Sequence, residues 1–192
     1  MTDDERDESD GTEPIVVLDF LAHGRTEDDR PQYQKEPLAY VIDTDDFQLY
    51  ELIMDSGADI SIGDSFDFSE QDDIVRQNGI DYEDLPSGAS SELDYAIEEI
   101  VEDNQERFVD YFNDAQPITL RLHQLNLLPG IGEKLRNDIL DERKRKPFES
   151  FEELDERIDG LHSPKDVLVE RILEEIKEDD LKYQLLVRSD DN

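Results

Sequence analysis

The hydrophobic period of this chain changes once, at "LPSGASS" (residues 85–91), and that change limits the possible folds more than any other feature. Before it, apolar residues come in short β-rich runs: "IVVLDFL" from Ile15, "EPLAYVID" from Glu36, "FQLYELIMD" from Phe47 and "SFDF" from Ser65. Gly, Asp and Pro clusters divide them, and "IVRQNGIDYEDL" from Ile74 supplies a fifth. After it, Leu93, Ile97, Ile100, Val101, Phe108 and Phe112 fall on one stripe of a helix. Ser90 or Ser91 can cap that helix, and Pro117 disfavours helix in the residue before it. Strands first and helices afterwards make an α+β chain.

Five short strands within about 70 residues predict a small N-terminal barrel of the OB or S1 type, although a small sandwich gives the same pattern. The remainder reads as short helices. Leu120, Leu122, Leu125 and Leu128 precede "PGIG", and Ile131, Leu135 and Ile139 then repeat every four residues, so two apolar stripes can close on each other. "SFEELDERI" opens with the capping-box pair Ser150 and Glu153, and "SPKDVLVERILEEI" offers Ser163 as N-cap with Pro164 in the first turn. "YQLLVR" from Tyr183 is apolar enough to return as a strand. The expected organisation is a disordered acidic tail (1–13), the barrel (14–85), a long linking helix (86–116) and an all-α tandem module (117–192).

Charge narrows the function classes. With 54 Asp plus Glu against 19 Lys plus Arg the formal charge is -35, yet hydrophobic residues make up 35% and recur in periodic runs, so a folded core is expected. Such acidity suits a protein adapted to molar salt, where the Debye length is about 3 Å and self-repulsion is screened. An acidic lure for a basic partner is the alternative. There is no cysteine, hence no disulfide, thiol nucleophile or cysteine zinc site. "MTDDERDESDGTEP" lacks the basic and apolar regions of a signal peptide, and no run approaches about 18 apolar residues, so a cytoplasmic protein without membrane contact is expected. One stretch departs from the rest: residues 119–148 hold seven cations and four anions, net +3, whereas residues 1–118 hold six and 35 and residues 149–192 six and 15.

That island surrounds "LLPGIGEKLRNDI". Gly130 and Gly132 permit positive φ and close approach by a ligand, and Ile131 points to the core. Amides at the start of the next helix have no intrahelical partner and sit at the positive end of its dipole, so an anion is favoured there. Lys134 and Arg136 lie in the first turn, and Arg143, Lys144, Arg145 and Lys146 extend the cationic surface. The competing reading is that these four only complement the helix C-terminus. A second group, Arg25, Arg30 and Lys35 around Tyr33, occupies the loop "HGRTEDDRPQYQKEP". Loops of this kind on small barrels bind single strands, with base stacking worth about 1–3 kcal/mol per aromatic. Otherwise the loop is polar surface, paired to Glu27, Asp28 and Asp29.

Catalytic frameworks are missing from the sequence. His23, His123 and His162 are scattered, with His123 reading as a packed histidine, and neither HExxH, a serine nucleophile motif nor GxxxxGK[ST] occurs. "DTDD" at residues 43–46 lacks the glycine and glutamate of an EF-hand. A non-enzymatic protein without metal or cofactor is expected.

"LNLLPGIGEKLRNDILDERKRKPFESFEEL" resembles the helix-hairpin-helix motif of DNA- and RNA-binding proteins, its hydrophobic-Pro-Gly-hydrophobic-Gly signature matched by Leu128, Pro129, Gly130, Ile131 and Gly132. In that family the hairpin amides hold backbone phosphate without reading sequence. The resemblance implies this role for Gly130, Gly132 and Lys134. A second hairpin would fall at "IDGLHSPKD", which keeps Gly160 but lacks the second glycine and is expected to be structural. More widely, "GRTEDDRPQYQKEPLAYVI", "FVDYFNDAQPITLRLHQL" and "KRKPFESFEEL" resemble the archaeal domain of unknown function 655 family over nearly all of the chain after residue 13. The resemblance implies an archaeal RNA-binding protein with no assigned reaction, and the acidity would make this a haloarchaeal member. The expectation is thus an RNA-binding protein, with ribosome assembly or translation as its setting. A DNA-binding accessory factor and an acidic protein-interaction adaptor with a vestigial hairpin are the alternatives.

Overall fold

All five β-rich runs form strands in a computed structural model of the chain, which describes residues 14–188; the expected acidic tail lies outside the described residues. They are β1 (Ile15–Leu21), β2 (Leu38–Asp43), β3 (Leu49–Met54), β4 (Ser65–Phe66) and β5 (Ile74–Ile80), in the order β4-β1-β2-β3-β5 with every neighbouring pair antiparallel. Alternation gives the sheet two apolar faces. Ala39, Val41, Leu52 and Met54 line one with Ile15, Val17 and Ile60, while Tyr40, Ile42 and Leu49 face the helices with Leu18. The β1–β2 register shifts between Val17 and Asp19, leaving Leu18 as an extra residue that bends the strand, so that the first face continues through Phe20.

The expected barrel does not form, because the sheet is open. Closure would require the two edge strands β4 and β5 to pair, and among the described residues they do not. β4 is only two residues long and so offers almost no ladder, while the middle of β5, from Val75 to Gln77, is exposed and mostly polar. The helix-facing side is covered instead by α1 (Ser87–Asp103), whose Gly88 lies so close to Asp19 that a Cβ would stand 2.5 Å from its carboxylate.

A single linking helix is also replaced. α1 stops at Asn104, at φ -110 and ψ 35, and α2 (Gln105–Asp114) starts at the next residue. Asn104 donates both its backbone and side-chain N–H to the Ile100 carbonyl, at 3.1 and 2.8 Å, the local competition that makes asparagine a poor interior helix residue. Neither Ser90 nor Ser91 caps α1; Pro86 occupies that position. Arg107 bonds the Thr44 and Asp45 carbonyls, tying the start of α2 to the β2–β3 turn, where Phe47 packs on Phe108 with ring centroids 6.1 Å apart.

The helix expected through Leu120–Leu128 shrinks to a 3-10 turn at Gln124–Leu127, with Leu125 and Leu128 buried but Leu120 exposed. Then follow α3 (Glu133–Arg145), α4 (Phe151–Arg157) and α5 (Pro164–Lys177). The Ser150 hydroxyl caps α4 by accepting from Glu153 N–H at 3.0 Å, whereas the Glu153 carboxylate accepts from Glu149 N–H, one residue before the box position. Pro164 does start α5, but the Ser163 hydroxyl donates to Asp166 rather than capping. Residues 183–188 form no strand: Leu185, Leu186 and Val187 donate their N–H groups to the buried Glu175 carboxylate at 2.9–3.0 Å, and Arg171 completes the cluster through an ion pair of 2.8 Å with Glu175 and a bond to the Tyr183 carbonyl. One continuous core joins the sheet, all the helices and Val187.

Candidate nucleic-acid interface

The two hairpin glycines play different parts. Leu128 accepts the Ile131 N–H at 3.2 Å, closing a turn in which Gly130 has φ +78, a left-handed conformation that a side chain would strain. Gly132, at φ -88 and ψ -167, is extended and occupies the N-cap of α3; no described heavy atom lies within 4 Å of where its Cβ would stand. Its backbone conformation is therefore one that any residue could adopt, and a side chain there would meet open space. The first intrahelical bond runs from Arg136 N–H to the Gly132 carbonyl, so the amides of Glu133, Lys134 and Leu135 have no helical acceptor, and no N-cap side chain bonds them. Ile131, Leu128 and Ile139 are buried beneath this turn.

Asn126 braces the hairpin from behind. Its side-chain oxygen accepts from His123 N–H at 3.2 Å and Arg136 Nη1 at 3.1 Å, and its amide donates to the Ile131 carbonyl at 3.3 Å. Arg136 is thus half-committed to holding the turn. His123 is buried, and burial, with Arg143 and Arg136 nearby, pushes its imidazole below the ordinary value. The neutral ring uses Nδ1 to accept from Leu125 N–H.

The four consecutive cations divide by role. Arg143 turns inward and donates to the Phe112 and Ala115 carbonyls at 3.1 and 2.9 Å, closing the end of α2. Lys144, Arg145 and Lys146 remain on the surface. Arg145 pairs with Glu142 at 2.9 Å, Lys146 with Glu149 at 3.2 Å and Lys134 with Asp138 at 2.8 Å, all exposed contacts of the kind worth about 0–1 kcal/mol and readily exchanged. Four of the island's seven cations, Arg121, Arg136, Arg143 and Lys144, have no carboxylate within ion-pair distance among the described residues. The complement to the end of α3 comes from Arg157, which sequence reasoning missed: it donates to the Glu142 and Lys146 carbonyls at 2.7 Å and lies 4.4 Å from the Phe148 ring. Its lone position in an acidic run gave no signal.

In the β1–β2 connection the cations are more occupied. Arg25 pairs with Glu51 and bonds Tyr40, Lys35 donates to the Arg25 carbonyl at 3.3 Å, and Arg30 holds the Asp28 carboxyl down to about 2. Tyr33 is 84% exposed. This loop joins Leu21 to Leu38, at the end of β2 opposite the β2–β3 turn on which α2 is anchored.

The geometry of the first turn is repeated thirty residues on: Leu161 N–H donates to the Ile158 carbonyl at 3.2 Å around Gly160 at φ +90, and α5 follows as α3 does. Here, however, a Cβ on the glycine would meet Leu135 at 3.6 Å, so this turn packs against α3. Among the described residues no helix is long and apolar enough to cross a membrane.

Comparison with known proteins agrees with this architecture. The chain is 38% identical over 177 residues to the uncharacterised protein MJ0038 of Methanocaldococcus jannaschii, covering 90% of this chain and 78% of that protein. It superposes on the crystal structure of Af1531 from Archaeoglobus fulgidus with a TM-score of 0.83 at 38% identity, covering 92% of this chain and 99% of the other. The model of a family described as "protein of unknown function (DUF655)" matches residues 12–188. The chain belongs to the DUF655 family.

Proposed function

We propose that this protein binds nucleic acid, RNA foremost, by holding backbone phosphate at the amino end of α3, and that it catalyses no reaction. The observation that carries the reading is an uncapped helix N-terminus, opened to solvent by the bare Gly132, in the one stretch where cations outnumber acids. Oriented amides there attract an anion regardless of the net charge of the chain. Lys134 exchanges Asp138 for phosphate, while Lys144, Arg145 and Lys146, about 15 Å away at the far end of the same helix, meet a second stretch of backbone. Arg136, Arg143 and Ile131 position these groups.

The paired turns at Gly130 and Gly160 support a tandem helix-hairpin-helix reading in which only the first turn contacts ligand, its leading helix reduced to the 3-10 turn. The open sheet stands where an OB-like barrel would, and the exposed Tyr33 of its β1–β2 loop is a second contact for a longer strand. The acidity reflects haloarchaeal adaptation to salt. Counterion release gives little affinity at molar salt, with a slope near -0.7 per phosphate for single strands, so nonionic amide and stacking contacts carry binding there. Fluorescence anisotropy with matched 12-nucleotide RNA and DNA across a KCl series tests the reading. Saturable binding that persists into molar KCl and favours RNA is expected; no binding to either at any salt that keeps the chain folded would refute it and favour the adaptor alternative, while a DNA preference would favour the accessory factor.

A further inference from the structure

Just before the hairpin, residues 117–123 form a small braced loop. Pro117 and His123 pair as an isolated antiparallel bridge, Gln124 N–H donates to the Gln116 carbonyl at 2.9 Å, and Gln116 N–H returns to the Gln124 side chain at 2.7 Å. Within it, Ile118 and Thr119 N–H both donate to the Leu122 carbonyl at 2.8 and 2.9 Å, and the Thr119 hydroxyl accepts from Arg121 and Leu122 N–H at 3.2 and 3.0 Å. Four turn residues, Ile118, Thr119, Arg121 and Leu122, thus have their backbone directions set by local bonds. The tip so held presents Leu120 with 106% of its reference area accessible. Beside it, Arg121 is exposed and without a carboxylate partner among the described residues, in a chain with nearly three acids for every cation.

An isolated exposed leucine means little by itself. This one is coupled to the hairpin: the base of its loop, His123, bonds the same Asn126 oxygen that Arg136 holds, and Asn126 in turn bonds the Ile131 carbonyl. The tip lies three positions before His123, a span of at most about 11 Å. A bulky apolar side chain and a free guanidinium are therefore carried on a loop bonded to the phosphate-holding turn. They match the two halves of a nucleotide, a base with apolar faces and an anionic backbone.

Resting on the reading of the hairpin above, we propose that Leu120 packs against an unpaired nucleobase flanking the phosphate held at Gly132, with Arg121 on the adjoining phosphate. The occupant is a single-stranded or locally opened stretch, because in a continuous duplex the base faces are covered by stacking and an apolar wedge must first unstack them. The site then distinguishes unpaired from paired nucleic acid although its amides read no sequence.

The test compares the full chain and its Leu120→Ala variant at one KCl concentration, using a labelled 12-nucleotide single-stranded RNA and the same backbone made abasic throughout its central half. Because Leu120 contacts nothing that folding requires, the variant should melt with the parent. Leu120→Ala is expected to weaken binding to the intact RNA by about tenfold, the scale of losing one buried aliphatic side chain, and to leave the abasic strand unchanged. Gly132→Asp is expected to weaken both. If the parent binds and Leu120→Ala matches it on intact RNA, or weakens both strands equally, the inference is overturned while the hairpin reading stands. If the parent binds neither strand, the hairpin reading itself fails and takes the inference with it.

Discussion

Gly130 and Gly132 look interchangeable in a sequence, and only coordinates separate a glycine held in a left-handed turn from one in extended backbone at the start of a helix. Gly130→Ala is expected to destabilise the fold by about 1–2 kcal/mol through left-handed strain, read from chemical denaturation in molar KCl. A cost near zero would mean that the turn relaxes. The cations show the same limit. All seven were visible, yet their division into Arg121, Lys134, Lys144, Arg145 and Lys146 at the surface and Arg136 and Arg143 bound inward depends on oxygens that come from other elements. Arg157, distant from the motif, is expected to cost about 1–3 kcal/mol when changed to alanine because two carbonyls and the Phe148 face lose it, whereas Lys146→Ala should lie within about 0.5 kcal/mol of the parent. Denaturation midpoints compare the two directly, and equal effects would contradict this assignment.

Among the elements, every strand was legible: β1, β2 and β3 alternate between two covered faces, and β4 and β5 are short runs bounded by Asp and Gly. Helix interruptions were not. A stripe from Leu93 to Phe112 continues in phase closely enough across Asn104 that periodicity gives no warning, and the break is made by one side-chain amide that returns to the Ile100 carbonyl. The C-terminal segment illustrates the converse: "YQLLVR" has the composition of a strand, but its amides are satisfied by one buried carboxylate instead of a ladder. Glu175→Gln leaves the buried Arg171 with only the more exposed Glu174, at 3.0 Å, as counter-charge and is expected to destabilise the protein by about 3–5 kcal/mol, with the amides of Leu185–Val187 losing hydrogen-exchange protection first. Retained protection at those amides would show that side-chain packing of Val187, rather than the carboxylate, secures the segment.

For the whole molecule, the sequence indicated strands followed by helices but not whether the sheet closes, since closure depends on the pairing length of β4 and β5 rather than on their hydrophobicity. The Tyr33 loop and the α3 cations come from different elements, the β1–β2 connection and the helical half, so the second contact needs a strand long enough to reach both. Tyr33→Ala is accordingly expected to weaken binding of a 12-nucleotide RNA; an affinity equal to the parent's would remove the loop from the site. Adaptation of the surface to salt predicts a melting temperature that rises from dilute buffer to molar KCl, and an invariant melting temperature would remove that explanation of the acidity. Binding through neutral amides is tested most directly by Gly132→Asp. Aspartate is a stronger N-cap than glycine and its side chain meets open space, so the variant should melt at or above the parent temperature while its affinity for 12-nucleotide RNA in molar KCl falls at least about tenfold. A variant that melts like the parent and binds RNA as tightly would contradict a phosphate site at the start of α3.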